Sequence, residues 1–525
     1  MSQKPNASRP LGWSARTRGG AVAALSAALL AGCGQSPEDM LASAKSYMEK
    51  QDLSAASIQL KNALQENGNL AEARFLLGSI HVRQGDAAGA VKELQRARDL
   101  GYPQEQVAPL LARALLAAGE IDTLLKDFAD TRVAAPRDQA MILAALGDAN
   151  LAKRDADKAR AAYLDALASD PDQAEARIGL ARTHIIKGDL KAAEDEVREA
   201  IKRNPESAEA HATLADLLTM RNEPEQSLLS LREAIRLAPR AVNYHFAHVS
   251  QLLRQGNAPE AEKALQAMQA VAGSHPSTRY LKALMDYQAN RLVEARDALL
   301  QVLKDAPQYL PAELLAGTVL VRLNEHTQGR SHLERVLQRA PGEPMARRTL
   351  VASHLATGEA QRALELLQPL LQAQELDPRL LSLAGQVFLA NGDFERSEEY
   401  FERASRAAPE DAQARMRLGV ARMAGGDTAA AFADLESAAQ MDDSAFQADL
   451  ALVMAHLRRG ETDKALEAHA QLERKQPDNP LVHNLRGGLM LAKRDVPAAR
   501  TAFEKALSLR PDYLSAAINL ARIDL

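Results

Sequence analysis

Cysteine occurs once in 525 residues, at position 33, so no disulfide framework can hold this chain and its stability has to come from packing. Tryptophan also occurs once, as Trp13, and aromatic residues amount to only 4%. The hydrophobic content of 46% is carried mainly by alanine and leucine, a composition suited to helices that approach closely through small side chains. Membrane-spanning length is missing as well: the apolar run from Ala21 to Leu30 is about ten residues, where a spanning helix needs ~20. Positive charge is not in excess, with 64 Lys and Arg against 69 Asp and Glu and a formal net charge of −5, which disfavours nucleic acid as a partner. There is no glycine-rich phosphate loop followed by lysine and no His-Glu-x-x-His helix, which removes two common routes to motif-borne chemistry.

What is present begins at the N-terminus. Lys4, Arg9, Arg16 and Arg18 precede the apolar run with no acidic residue among them, and the run ends in Leu30-Ala31-Gly32-Cys33. This arrangement resembles the lipobox of a bacterial lipoprotein signal peptide. The resemblance implies that residues 1–32 are removed, that Cys33 receives a diacylglycerol on sulfur and an acyl group on its amine, and that residues 33–36 tether the rest. Two or three lipid chains hold a protein on a bilayer durably where one does not. Gly34, not aspartate, follows the cysteine, which by the same resemblance favours the outer membrane over the inner one, on the periplasmic side. Loss of the four basic residues would leave the mature chain more acidic still.

From residue 37 a period takes over. Pro171, Pro205, Pro239, Pro307, Pro341, Pro409, Pro477 and Pro511 lie on one 34-residue grid whose empty slots hold Gly273, Glu375 and Asp443. Twelve residues before each grid point stands a small residue, from Ala159 and Ala193 through Ser227, Gly329 and Ser397 to Ala499, and four residues after that a large one, such as Tyr163, Leu299, Phe401 or Phe503. The pattern is similar to the tetratricopeptide repeat. It predicts an all-α right-handed helix-turn-helix solenoid of about fourteen repeats over 37–512, with 513–525 as the first helix of a further, incomplete repeat. In the unit ending at Pro205, small Ala181 and Ala193 let the two helices approach, Gly188 can end the first helix and Asp189 can cap the second. A one-residue slip in phase is expected around Gly101-Tyr102-Pro103, with a degenerate unit after it that places Leu124 where a small residue belongs. Leu514, Ile518, Leu520 and Ile523 are expected to leave an uncovered apolar face at the last helix.

No catalytic set emerges from the titratable residues. His245 with His248, and His326 with His332, have helical spacing but no carboxylate or cysteine set to complete a metal shell. His81, His184, His354 and His456 share one position of the repeat and read as helix-packing residues. Neither cofactor nor metal nor small-molecule substrate is indicated, and a surface remains. In tetratricopeptide repeat proteins the second, fifth, ninth and twelfth or thirteenth positions of each first helix line a concave groove. Carried to this chain, that register selects Phe246, Leu253, Arg254, Tyr280, Leu284, Tyr287, Leu314, Val321 and Arg322, a mixture of apolar anchors and arginine typical of partner recognition.

The blocks Ser54 to Leu64, Ala71 to Gly78, Ala97 to Pro103 and Leu110 to Leu116, together with the lipobox, resemble the PrsT lipoproteins of the PEP-CTERM/exosortase system. That resemblance implies a non-enzymatic scaffold for envelope proteins of an exopolysaccharide or protein-sorting assembly. Two alternatives stand beside it: a periplasmic part of a polysaccharide export machine, which calls for a downstream β-barrel, and the repeat portion of a glycosyltransferase, which calls for an αβ segment. Neither segment is visible in the sequence.

Overall fold

A computed structural model describes residues 36–441 and 446–524. Those residues form 29 α-helices, from Pro37–Glu49 to Leu514–Asp524, and no strand. Twenty-eight of them pair in order into fourteen helix-turn-helix repeats, here helix A and helix B of each, and the helix Leu514–Asp524 follows. The chain divides into two compact units, the first ending at Gln251 and the second beginning at Leu252. Within each, the core is a series of small clusters, one per one or two repeats, as expected where every repeat touches only its neighbours.

The turn from helix A to helix B sets the phase. In all fourteen repeats it contains one residue in the left-handed region: Gln51, Gly85, Gly119, Arg154, Gly188, Asn222, Gly256, Asn290, Asn324, Gly358, Gly392, Gly426, Gly460 and Arg494. Glycine and asparagine take this conformation most readily, and eleven of the fourteen are one or the other. Where the next residue is aspartate it caps helix B: Asp189 accepts from the Ala192 amide at 2.9 Å, and Asp52, Asp86, Asp155, Asp393 and Asp495 do the same for their own helices. Such a cap contributes about 1 kcal/mol. Gln51, Gly85 and Gly119 share the 34-residue spacing, and the extra residue falls between Gly119 and Arg154. The slip expected near Tyr102 is therefore corrected to the connection after the helix Ile121–Phe128, which is only 8 residues long. That connection is held by the Val133 amide donating to Gln139 at 2.9 Å and the Ala134 amide donating to Glu105 at 2.8 Å. A second short helix B, Ala360–Leu367, gives way to a 3₁₀ turn where Pro369 withholds a backbone donor.

Helices A and B of one repeat touch at three positions: the eighth, on helix A, and the twentieth and twenty-fourth, on helix B. Residues at the twentieth, such as Ala159, Ala193, Ser227, Ala363 and Ala499, are fully buried. The large residue at the twenty-fourth is 0% exposed for Tyr163 and Phe503 and 1% for Phe401, and opposite each of these three rings helix A carries glycine: Gly147, Gly487 and Gly385. A Cβ on Gly487 would stand 2.3 Å from the Phe503 ring, and one on Gly147 2.4 Å from that of Tyr163. Where helix A has valine, at Val249 and Val351, the partner is leucine, Leu265 and Leu367. Each of the three rings is thus matched by the smallest residue on the facing helix, while leucine at the twenty-fourth position tolerates glycine, as at Gly317 and Gly419, or valine opposite.

Successive repeats are joined by a second recurring contact. The fourth residue of helix A's repeat reaches back six residues to the backbone carbonyl of the preceding turn: Arg177 to Pro171 at 3.3 Å, Arg347 to Pro341 at 2.8 Å, Arg74 to Gly68 at 3.1 Å, and the Nε2–H of His211, His245 and His483 to Pro205, Pro239 and Pro477 at 3.1, 2.9 and 2.7 Å. Arg74 and Arg177 also pair with a glutamate nineteen residues on, Glu93 at 2.5 Å and Glu196 at 3.1 Å. In one repeat the signs are exchanged, and Glu313 receives His332 and Arg335 at 3.1 and 2.6 Å.

Two outcomes test this account of packing. Gly487→Ala should cost about 1–3 kcal/mol through overpacking against Phe503. Adding Phe503→Leu should recover most of it in a denaturant titration, because Ala283 already faces Leu299 without strain. The other concerns His469, which takes the twenty-fourth position opposite Val453, is 2% exposed and donates Nε2–H to the Val482 carbonyl at 2.8 Å. Burial lowers its pKa from 6.5, opposed by that carbonyl and by Glu473. A histidine lowered in this way binds its proton later in the folded state than in the unfolded one, so stability falls as pH drops below about 6.5 until the folded form also protonates. His469→Leu, the residue paired with valine elsewhere, should reduce the fall in melting temperature between pH 7.5 and 5.5; an unchanged fall would remove His469 as its source.

Candidate protein-binding face

Burying the eighth position of helix A leaves the second, fifth, ninth and one of the twelfth or thirteenth at the surface of the repeat. In the second unit these positions converge on a cavity of about 310 Å³. Its walls are Tyr280 and Tyr287 from the helix Pro276–Gln288, Pro311, Leu314 and Thr318 from Leu310–Arg322, and Met345 from Pro344–Ala356. Tyr280 stands edge-on to Tyr309, with ring centres 5.4 Å apart and planes at 87°. Burial raises the pKa of both phenols, so each remains a protonated donor at neutral pH. Arg322 lies 5.0 Å from the centre of the Tyr287 ring and donates to Asn290 at 2.7 Å, so the guanidinium is held over the ring at the cavity's edge. Glu343 also lines the cavity, with its carboxylate accepting from the Met345 amide at 3.1 Å as a helix cap.

The structure brings Tyr280, Tyr287 and Leu314 into one wall and sets Arg322 beside them. Leu284 packs half-buried against the cluster of Ala283, Leu299 and Val319, and Val321 against that of Leu333 and Leu350. Leu253 is a correction: at 6% exposure it belongs to the core. Adjacent helical residues point about 100° apart, and here the thirteenth position, Arg254, takes the outward direction instead of the twelfth. Phe246 is half-buried in the first unit and does not line this cavity. Sequence reasoning passed over Pro311, Thr318 and Met345, although they occupy the second and ninth positions of the same register; Met345 is 52% exposed. Cys33 lies outside the described residues.

In the first unit the same register is charged. Lys45 meets Glu72 at 2.7 Å, and Arg182 joins Asp148 at 3.6 Å to Glu209 at 2.7 Å. The Tyr163 hydroxyl donates to Asp148 at 2.7 Å from beneath, and burial raises the pKa of both groups. A polar cavity of about 660 Å³ opens here, with Arg113, Asp148, Glu175 and Glu209 in its walls. The histidines do other work than apolar packing alone. His81, His354 and His456 stand 2.8, 3.0 and 2.8 Å from Asp86, Glu359 and Glu461, the acid five residues on at the start of helix B. Arg330, Thr357 and His354 together hold the Glu359 carboxyl down to about 2. Among the described residues no group of three or more His, Cys, Asp or Glu is placed to hold a metal ion, and no helix is long and apolar enough to cross a membrane.

Comparisons with known proteins agree with this architecture at the level of the repeat. Two family models, both described as tetratricopeptide repeat, match residues 41–103, 246–309, 382–446 and 450–513 in one case and 150–217 and 320–387 in the other. No curated protein sequence matches the chain. Among solved structures, the APC/C hetero-tetramer Cut9–Hcn1 aligns over 94% of this chain and 97% of its own at 17% identity and a TM-score of 0.49. A tetratricopeptide repeat protein from Parabacteroides merdae aligns over 47% of this chain and 98% of its own at 16% identity and a TM-score of 0.37, and PilF of Pseudomonas aeruginosa over 41% and 97% at 19% and 0.35. With its period, its paired helices and both family models in agreement, the chain belongs to the tetratricopeptide repeat family.

Proposed function

We propose that this protein is a lipid-anchored periplasmic scaffold, held in the outer membrane through Cys33, whose helix A surface captures polypeptide segments of proteins in an exopolysaccharide or PEP-CTERM sorting assembly. The observation that carries the binding reading is the cavity walled by Tyr280, Tyr287, Leu314 and Met345. It places aromatic and flexible apolar side chains at the surface of an array otherwise poor in aromatics, the composition that recognition surfaces favour. The anchor rests on the lipobox-like Leu30-Ala31-Gly32-Cys33, and the assembly on the resemblance of the first repeats to the PrsT lipoproteins. No enzymatic role is assigned, because the repeats account for the helices from Pro37 onward.

Anchor and groove are testable separately. Cys33→Ala should abolish incorporation of labelled lipid and move the protein from the membrane to the soluble periplasmic fraction; retention in the membrane would reject lipid as the anchor. Thr318→Trp fills the mouth of the cavity from a half-exposed position and should spare the fold. Tyr287→Ala removes an anchor and commonly costs ~2 kcal/mol of binding. Cross-linked partners recovered from the native envelope should be lost from both variants, and full recovery from both would assign these side chains to packing alone.

A further inference from the structure

The charges on this face are distributed unlike those of the chain as a whole. In the seven helices A from Pro276–Gln288 to Pro480–Ala492, the second, fifth, ninth, twelfth and thirteenth positions hold Arg322, Arg348, Arg379 and Arg458 and not one aspartate or glutamate. The protein otherwise carries more acidic than basic residues, 69 against 64. The six helices A from Pro37–Glu49 to Ala208–Met220 show the contrast, with Glu38, Glu72, Asp148, Glu175 and Glu209 among the acids at the same positions. The remaining residues of the acid-free stretch are mostly apolar, and Val420, Met454 and Met345 are 37%, 43% and 52% exposed.

Three of the four arginines form no ion pair with a carboxylate among the described residues. Arg348 pairs with Asp377 at 2.6 Å. Arg322 is engaged only by the Tyr287 ring and the Asn290 amide oxygen, and Arg379 and Arg458 are exposed and form no ion pair among the described residues. Two of them border apolar positions: Arg322 the Tyr287 ring at the cavity, and Arg458 the positions of Met454 and Leu457 on its own helix. Among the described residues, the carboxylate lining the cavity is that of Glu343, and it is occupied as a helix cap.

From this complementarity we infer that the helix A face of residues 276–492 docks an apolar polypeptide segment carrying carboxylates, whose acidic side chains meet Arg322, Arg379 and Arg458 while its apolar ones enter the surface between Tyr280 and Met454. The inference rests on the binding role proposed above and names its occupant. A segment with lysines is disfavoured by the same three charges, since like charges set together suppress the wrong partner. Arginine suits the task because its planar fork engages a carboxylate through two parallel hydrogen bonds.

Three labelled twelve-residue peptides decide the matter, identical in four leucines and differing in carrying four glutamates, four glutamines or four lysines, titrated against the full mature chain by fluorescence anisotropy. The glutamate peptide should bind about tenfold more tightly than the glutamine one, the sum of three exposed ion pairs, and the difference should shrink in high salt. Arg322→Ala/Arg379→Ala/Arg458→Ala should abolish that preference, bringing the glutamate and glutamine peptides to equal affinity, with the far-ultraviolet circular dichroism unchanged. Equal binding of all three peptides, preference for lysine, or a preference that survives the triple variant would overturn the inference while leaving the groove as a binding site. Failure of every peptide to bind would reject both the inference and the groove.

Discussion

The close approach of the two helices within a repeat is the constraint on which everything else depends. Helix B lies closest to helix A where the twentieth position is small and the eighth makes room for the twenty-fourth, as Gly147, Gly385 and Gly487 do for the rings of Tyr163, Phe401 and Phe503. Interiors this dense transmit a change of one methyl group to the backbone. The same contact bears on the low aromatic content: the rings of Tyr163, Phe401 and Phe503 face glycine, and glycine inside a helix costs about 1 kcal/mol relative to alanine. Alanine and leucine satisfy the fit more cheaply, and the sequence uses them most.

With that contact fixed, the outward positions of helix A are free to differ between the two units. In the first they neutralise one another, through Lys45 with Glu72 and Arg182 with Asp148 and Glu209. In the second they present tyrosine, leucine and methionine with arginine at the margins. Surface ion pairs of the first kind contribute 0 to about 1 kcal/mol each, whereas an uncovered apolar wall is a standing affinity for something else. One scaffold thereby carries two chemically distinct faces without altering a core residue.

Much of this was legible in the sequence because the fold is periodic. Helix class, repeat length, the small and large core positions, the left-handed Gly188 and the cap at Asp189 all follow from a 34-residue spacing and local backbone preference. The location of the phase slip did not, because prolines mark the end of a repeat loosely, whereas the left-handed residues at Gly119 and Arg154 mark its middle without slack. Arginine is a rare occupant of that conformation, so Arg154 gave no signal. The contacts of Arg177, His211 and Arg347 to the preceding turn were equally hidden, since arginine and histidine alternate there and the acceptor is backbone. On the face itself, Tyr280, Tyr287 and Leu314 follow from the register, while the inward turn of Leu253 depends on which of two neighbouring residues the packing selects.

The reach of the fourth residue to a turn carbonyl has an evolutionary consequence. A side chain that bonds to another side chain needs its counterpart preserved, and inserting a copy of a repeat between them would separate a matched pair. A backbone carbonyl is present whatever residue supplies it, as Gly68 does for Arg74 where proline does for the others. Each of these six repeats therefore arrives with its own plug and meets a universal socket. Arrays joined in this way can lengthen or shorten by whole repeats through recombination without any second site having to change in step.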